Sequence, residues 1–272
     1  MADRVTLSAL QQMKQDGRKI VAVVAYDVQM ARIVDRVGVE IVSVGDSVGV
    51  TLWGHESELD VTLDEMLIAC RAVRRGVTRA LVSCDFPYGP LQEGTRTAVA
   101  AARRLMEHGG ADMVKVDGAS DNPELVRRMI AEGVPVWAQF GITPYTAARY
   151  GGMDQATPEL AAAMSDQLVA EARLLEDAGA SLLDFTNSGP VAGPAVVAAV
   201  RIPVIGGLGG GPWLDGRVRA VPNAIGYFAA ALDDGVDRYA NVASIAFDAL
   251  KAYSEDVRAG RHIRGGPARP RA

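Results

Sequence analysis

The chain has 272 residues, 49% of them hydrophobic and 22% charged, with a formal net charge of −5. That length suits one large α/β domain better than two small ones, and the composition supplies a sizeable core beneath a mildly acidic surface. No basic helix, aromatic-studded groove or zinc spacing recommends nucleic acid, and no apolar run approaches membrane-spanning length.

In chain order the pattern alternates between strand and helix. Residues 6–16 read as a short leading helix closed by Gly17. Residues 19–26 form an apolar strand ending at Tyr26-Asp27, and 28–37 a helix stopped by Gly38. The next run, Ile41-Val42-Ser43-Val44-Gly45-Asp46-Ser47-Val48-Gly49, reads as a strand buried on both faces that ends abruptly in Gly-Asp-Ser. A loop over 49–60 leads to a helix opened by the capping box Thr62-x-x-Glu65 and closed by Gly76. Strand three covers 80–85, followed by Phe86-Pro87-Tyr88-Gly89 and a helix over 95–108.

Strand four covers 112–117, and its helix opens at Asn122-Pro123-Glu124 and ends at Gly133. Strand five, 134–139, runs into Gly141-Ile142-Thr143-Pro144. The longest helix is expected over 158–178, with positions 160, 164, 168 and 175 on one apolar face. Strands six, seven and eight are expected at 181–186, 202–205 and 223–228, and a closing helix at 240–257. Gly206 to Gly211 follow strand seven, where barrels often place an anion-binding turn.

Eight apolar strands separated by helices predict a single-domain α/β fold, a (β/α)8 TIM barrel over 1–257, with a basic, flexible tail over 258–272. A doubly wound open sheet is the alternative; no GxGxxG follows strand one and no P-loop is present. Cys70 and Cys84 lack CxxC spacing and read as reduced core residues of a cytoplasmic protein, and Met1-Ala2-Asp3-Arg4 is too polar for a signal peptide.

Strands two, three and four end at Asp46, Asp85 and Asp117, with Lys115 on the same face as Asp117. In a barrel these groups converge on the mouth, where three unpaired carboxylates would call for a divalent cation. Oxygen donors without a histidine cluster favour Mg²⁺ over zinc. The alternative is that each Asp caps the helix after it.

The motifs Ala25-Tyr26-Asp27, Val44-Gly45-Asp46-Ser47-Val48-Gly49, Gly54-His55-Glu56, Ala72-Val73-Arg74-Arg75-Gly76, Cys84-Asp85-Phe86-Pro87, Val114-Lys115-Val116-Asp117-Gly118, Gly141-Ile142-Thr143-Pro144 and Ile202-Pro203-Val204-Ile205-Gly206 stand in this order. From about Thr6 to Val257 the chain resembles the ketopantoate hydroxymethyltransferase family of the phosphoenolpyruvate mutase/isocitrate lyase superfamily. The resemblance implies an aldol-type reaction. A 2-oxo acid chelates Mg²⁺, its adjacent C–H is acidified, and the enolate attacks a one-carbon unit from 5,10-methylenetetrahydrofolate. Asp46 and Asp85 match the direct metal ligands, and Asp117 matches a Glu that holds the metal through water. Ser47 and Lys115, with Asp85 beside them, match the residues at the oxo acid. The family also implies a homo-oligomer, a decamer, and a place in pantothenate synthesis. The loop tryptophans Trp53 and Trp213 read as exposed surface for such assembly.

Two positions depart from the family. Gln139 stands where it has His, and Thr186 where it has its catalytic Glu. Gln hydrogen-bonds but does not titrate, and Thr is no carboxylate base. Asp184 shares a strand face with Thr186 but lies about 7 Å deeper, at ~3.3 Å per residue. It reads either as a relocated catalytic carboxylate or as a polar residue inside the barrel. The family's Val-Gln-Gly-Arg stretch is replaced by residues 151–156, and its acidic-aromatic C-terminal segment by 261–266. His55 is expected to anchor a loop beside Glu56, and His108 to be solvated. Three classes stay open. One is hydroxymethyl transfer to 3-methyl-2-oxobutanoate or an analogue. Another is a related metal-dependent lyase, aldolase or one-carbon enzyme. The third is a non-catalytic oxo-acid-binding barrel.

Overall fold

The computed structural model describes residues 3–265. Eight parallel strands close into a barrel in chain order: β1 (Ile20–Val24), β2 (Ile41–Val44), β3 (Leu81–Asp85), β4 (Met113–Val116), β5 (Val136–Gly141), β6 (Leu182–Thr186), β7 (Val204–Gly206) and β8 (Gly216–Ala220). Between them run α1 (Leu7–Gln15), α2 (Val28–Val37), α3 (Leu63–Arg74), α4 (Tyr88–Gln92), α5 (Thr95–Arg104), α6 (Pro123–Ala131), α7 (Pro158–Ala163), α8 (Ser165–Asp177) and α9 (Ala192–Ala199). The expected (β/α)8 fold is therefore present. The chain forms two compact units, one ending at Arg219 and one beginning at Ala220; the second holds α10 (Val221–Ile225) and α11 (Val242–Arg258).

Local chemistry explains where the helices start. Thr62 and Glu65 form the reciprocal capping box of α3, and Asn122 caps α6 with Pro123 in its first turn. Asp27 accepts from the N–H groups of Gln29 and Met30. The acid ending β1 thus caps a helix, the ordinary fate of such a residue.

The strands between β2 and β7 are buried on both faces, as their continuous apolar runs require. Alternation then sorts the side chains. Phe140 and Phe185 stack at 4.7 Å, while Gln139 and Asp184, one residue away on each strand, point the other way. Register sets Asp85 opposite Lys115, Gln139 opposite Asp184 and Gly141 opposite Thr186. The polar residues of four neighbouring strands thereby share one enclosed face.

Strand eight corrects the sequence reading. Residues 223–228 are not a strand, since Pro222 opens the short helix α10 there. The strand lies earlier, at Gly216-Arg217-Val218-Arg219-Ala220, whose buried and exposed positions alternate. A search for a continuous apolar run passes over such a segment. Gly216 permits it to close on β1, because a Cβ at that position would collide with the Ile20 carbonyl. The long helix at 158–178 is interrupted at Met164, whose ψ of 8° leaves helical geometry for one residue. Trp213 is half-buried, its Nε1 donating to Ser188 Oγ at 2.9 Å, so it is packed and not displayed. His55 pairs with Glu65 at 3.0 Å instead of Glu56. The expected tail over 258–272 lies outside the described residues from 266 onward.

Gly141 ends β5 with φ +92°, and a Cβ there would stand 2.6 Å from the Thr186 carbonyl oxygen. Gly141→Ala is expected to destabilise the protein by about 2 kcal/mol or more through backbone strain and collision. Urea unfolding checks this; an unchanged midpoint would mean that the β5 end is not locked.

Candidate active site

Lys115 is the centre of the polar cluster. Its Nζ lies 3.2 Å from Asp85 Oδ2, 3.4 Å from Asp184 Oδ2 and 5.6 Å from the centre of the Trp137 ring. It is 8% exposed, with Asp85 at 6% and Asp184 at 2%. Ser43 Oγ donates to Asp85 Oδ1 at 3.4 Å. Asp46 and Ser47 follow β2 and are half-buried, so the cluster opens to solvent on their side.

The charges do not balance. Asp46, Asp85, Asp117 and Asp184 face one ammonium. Burial and the adjacent Asp85 carboxylate push the Asp46 carboxyl up to about 8. Burial raises Asp85 and Asp184 as well, although Lys115 works against it in both. Burial alone would lower Lys115, but Asp85, Asp184 and Asp46 together hold it above its ordinary value. Lys115 is therefore a permanent cation, and the carboxylates around it share an excess of negative charge.

Asp117 stands at the end of β4 and also ties down backbone. It reaches about 6 through burial, against a hydrogen bond from Thr143. Its Oδ1 accepts from Gly118 N at 2.5 Å and its Oδ2 from Tyr145 N at 3.3 Å. Oδ1 thus closes the turn after β4, and Oδ2 holds the loop after β5. Among the described residues no group of three or more His, Cys, Asp or Glu is arranged to hold a metal ion. Asp46 and Asp85 are the two carboxylates that could do so. Oδ2 of Asp46 accepts from Tyr145 Oη at 3.3 Å, and no hydrogen bond from a described residue engages its Oδ1. The half-buried Asp46, with the buried Asp85 beside it, matches the way Mg²⁺ is commonly held by one or two carboxylates, with water and substrate completing the octahedron.

The two departures from the family meet each other. Gln139 Nε2 donates to Thr186 Oγ1 at 3.1 Å, and both side chains are buried. The pair is neutral and does not titrate. Directly beneath, Asp184 Oδ1 has no hydrogen-bond partner, nor have Ser83 Oγ and Trp137 Nε1. All three side chains lie on the strand faces that carry the site.

Sequence reasoning missed two tyrosines. Tyr26 Oη lies 2.9 Å from Ser47 Oγ, and Tyr145 reaches Asp46 from the far side of the mouth. Tyr26 was within a recognised motif, one residue from a more conspicuous Asp. Tyr145 stands one residue past Gly141-Ile142-Thr143-Pro144, in a loop whose path only the folded chain reveals.

A closed parallel barrel whose strand ends gather buried carboxylates around a lysine is a (β/α)8-barrel enzyme. The family profile described as Ketopantoate hydroxymethyltransferase matches residues 4–263. Two relatives named 3-methyl-2-oxobutanoate hydroxymethyltransferase, from Alkalilimnicola ehrlichii and Salinibacter ruber, are 38% and 36% identical. Each match spans 94% of this chain, and 91% and 95% of the respective relative. The chain belongs to the ketopantoate hydroxymethyltransferase family, enzymes that transfer one-carbon groups, as its motifs led us to expect. Among solved structures it shares its fold with 2,3-dimethylmalate lyase, a PEP mutase/isocitrate lyase superfamily member (TM-score 0.58, 15% identity, 97% of this chain and 91% of that one). Oxaloacetate acetylhydrolase is similar in the same sense (TM-score 0.61, 13% identity, 97% and 90%).

Carboxyls raised above their unfolded value hold more protons in the folded state, so metal-free stability should fall as pH rises from about 4 to about 8. Lys115→Met removes the cation and should lower stability by about 3–5 kcal/mol at pH 8. The deficit should shrink as pH falls, because Asp85 and Asp184, whose carboxyls burial raises, can take up protons in place of the lost cation. Urea unfolding across that range, in a metal-free buffer, checks the sign; a deficit independent of pH would refute the shared-charge account.

Proposed function

We propose that the chain transfers a hydroxymethyl group from 5,10-methylenetetrahydrofolate to 3-methyl-2-oxobutanoate or a close branched 2-oxo acid. In this reading the enzyme is Mg²⁺-dependent, with Asp46 and Asp85 holding the metal, and serves cytoplasmic pantothenate synthesis. The observation that carries the proposal is Lys115 fixed at 3.2 Å from Asp85 inside a barrel of this family.

When bound, Mg²⁺ polarises the oxo acid and acidifies its C3 hydrogen. Ser47, its hydroxyl set by Tyr26 at 2.9 Å, grips an oxygen of the acid. Lys115 offsets negative charge as it develops on the 2-oxo oxygen, and its carboxylate neighbours keep it protonated for that role. Gln139 contributes a hydrogen bond but no proton transfer. Asp184 is the proposed acceptor for the C3 proton, since its Oδ1 is unpartnered and burial moves its carboxyl up towards a useful basicity. Thr186, hydrogen-bonded to Gln139, stands where a carboxylate would be more direct. The neutral Gln139–Thr186 pair also favours a second reading, a related metal-assisted carbon–carbon reaction on another 2-oxo acid.

One general base typically contributes about 10²–10⁴-fold. C3 deprotonation of 3-methyl-2-oxobutanoate should therefore be weak but present, and dependent on Mg²⁺. Proton NMR in D₂O should show exchange at C3 that disappears in Asp46→Asn and in Asp184→Asn, and that Thr186→Glu accelerates. No exchange with any small branched 2-oxo acid at saturating Mg²⁺ would remove this substrate class.

The family's decameric assembly extends to the proposal as a homo-oligomer. Helix α11 supports it, because Ile245, Phe247, Leu250, Tyr253 and Val257 are each at least half exposed. Light scattering should show an assembly larger than one chain, which Leu250→Asp reduces; a stable monomer at micromolar concentration would contradict it.

A further inference from the structure

Tyr145 is held more firmly than a loop residue needs to be. The turn carrying it is closed by two buried hydroxyls: Thr146 N donates to Thr143 Oγ1 at 3.3 Å, and Thr146 Oγ1 donates to Gly141 O at 2.9 Å. Its backbone N–H is tied to Asp117, and its ring meets Tyr88 edge-on at 5.0 Å. The phenol oxygen comes to rest 3.3 Å from Asp46 Oδ2 and 3.4 Å from the Phe86 carbonyl oxygen. One hydroxyl hydrogen serves both acceptors, and the oxygen fills the space outside Oδ2. No described residue donates a hydrogen bond to the other oxygen of Asp46, Oδ1.

We propose that Tyr145 is a positioning residue that confines Asp46 to one-oxygen coordination and so selects magnesium over calcium. The inference rests on Asp46 being a metal ligand. Magnesium takes six oxygens at short distance, commonly one from each carboxylate, whereas calcium takes six to eight and often both oxygens of one carboxylate. A cation held by both oxygens of Asp46 competes with the phenol for Oδ2, whereas one held by Oδ1 alone leaves that hydrogen bond undisturbed. Neither Gln139 nor Thr186 reaches Asp46 to act in the same way.

The test is calorimetric titration of the metal-free full-length protein with MgCl₂ and with CaCl₂, beside its thermal melting curve. Tyr145→Phe keeps the ring against Tyr88 and removes only the oxygen. It should tighten calcium relative to magnesium by about tenfold, the worth of one hydrogen bond to a charged group, without shifting the melting curve. Loosened packing would weaken both metals together and leave their ratio as in the wild type, which would overturn the inference. Asp46→Asn separates the two levels. If that variant loses magnesium binding while Tyr145→Phe keeps the wild-type ratio, only the role of Tyr145 falls. If Asp46→Asn binds magnesium as before, the metal assignment falls with it.

Discussion

An ammonium enclosed by carboxylates inside a barrel is the constraint on which the site depends. Lys115 is largely withdrawn from solvent at 8% exposure, so its charge is answered by Asp85 and Asp184. These lie on the strands to either side of β4 and β5, so the pairing ties three parts of the barrel together. The acids outnumber the cation, and the excess is expressed as raised carboxyls at Asp46, Asp85 and Asp184. A site that carries uncompensated negative charge at the end where it opens to solvent suits a divalent cation and a substrate with paired oxygens.

Around that fixed centre the tunable parts are neutral. Gln139 and Thr186 satisfy each other's hydrogen bonds where the family places His and Glu. The exchange removes two titratable groups from the mouth, while Asp184 adds one deeper in the barrel. In the proposed reaction Lys115 keeps its electrostatic role while proton abstraction passes to Asp184, which would make the two halves of the chemistry separable. Asp117 illustrates the same economy, since it holds the loop that delivers Tyr145 to Asp46.

Much of this was legible in the sequence. Seven strands, the caps at Thr62 and Asn122, and the convergence of Asp85 and Lys115 follow from apolar runs and from period-two alternation, whereas Gln139 and Asp184 came to notice through the family resemblance. The family was legible from short motifs whose order survives even where the catalytic positions differ. Strand β8 was not, because its alternating Gly-Arg-Val-Arg-Ala pattern lacks the run that marked the other strands.

What the sequence determined by itself is the set of residues each strand points inward, because alternation is a property of the chain's own geometry. What only the tertiary structure decided is which of those groups meet. Asp117 read as a carboxylate at the end of β4, and only the path of the β5 loop brings the Tyr145 N–H to it, beside that of its own neighbour Gly118. Tyr145 carried no signal, because its meeting with Asp46 spans 99 residues of sequence and depends on a turn closed by two buried hydroxyls. Strand periodicity is local and can be read along the chain, whereas hydrogen bonds across a barrel mouth depend on the positions of loops that no local pattern encodes.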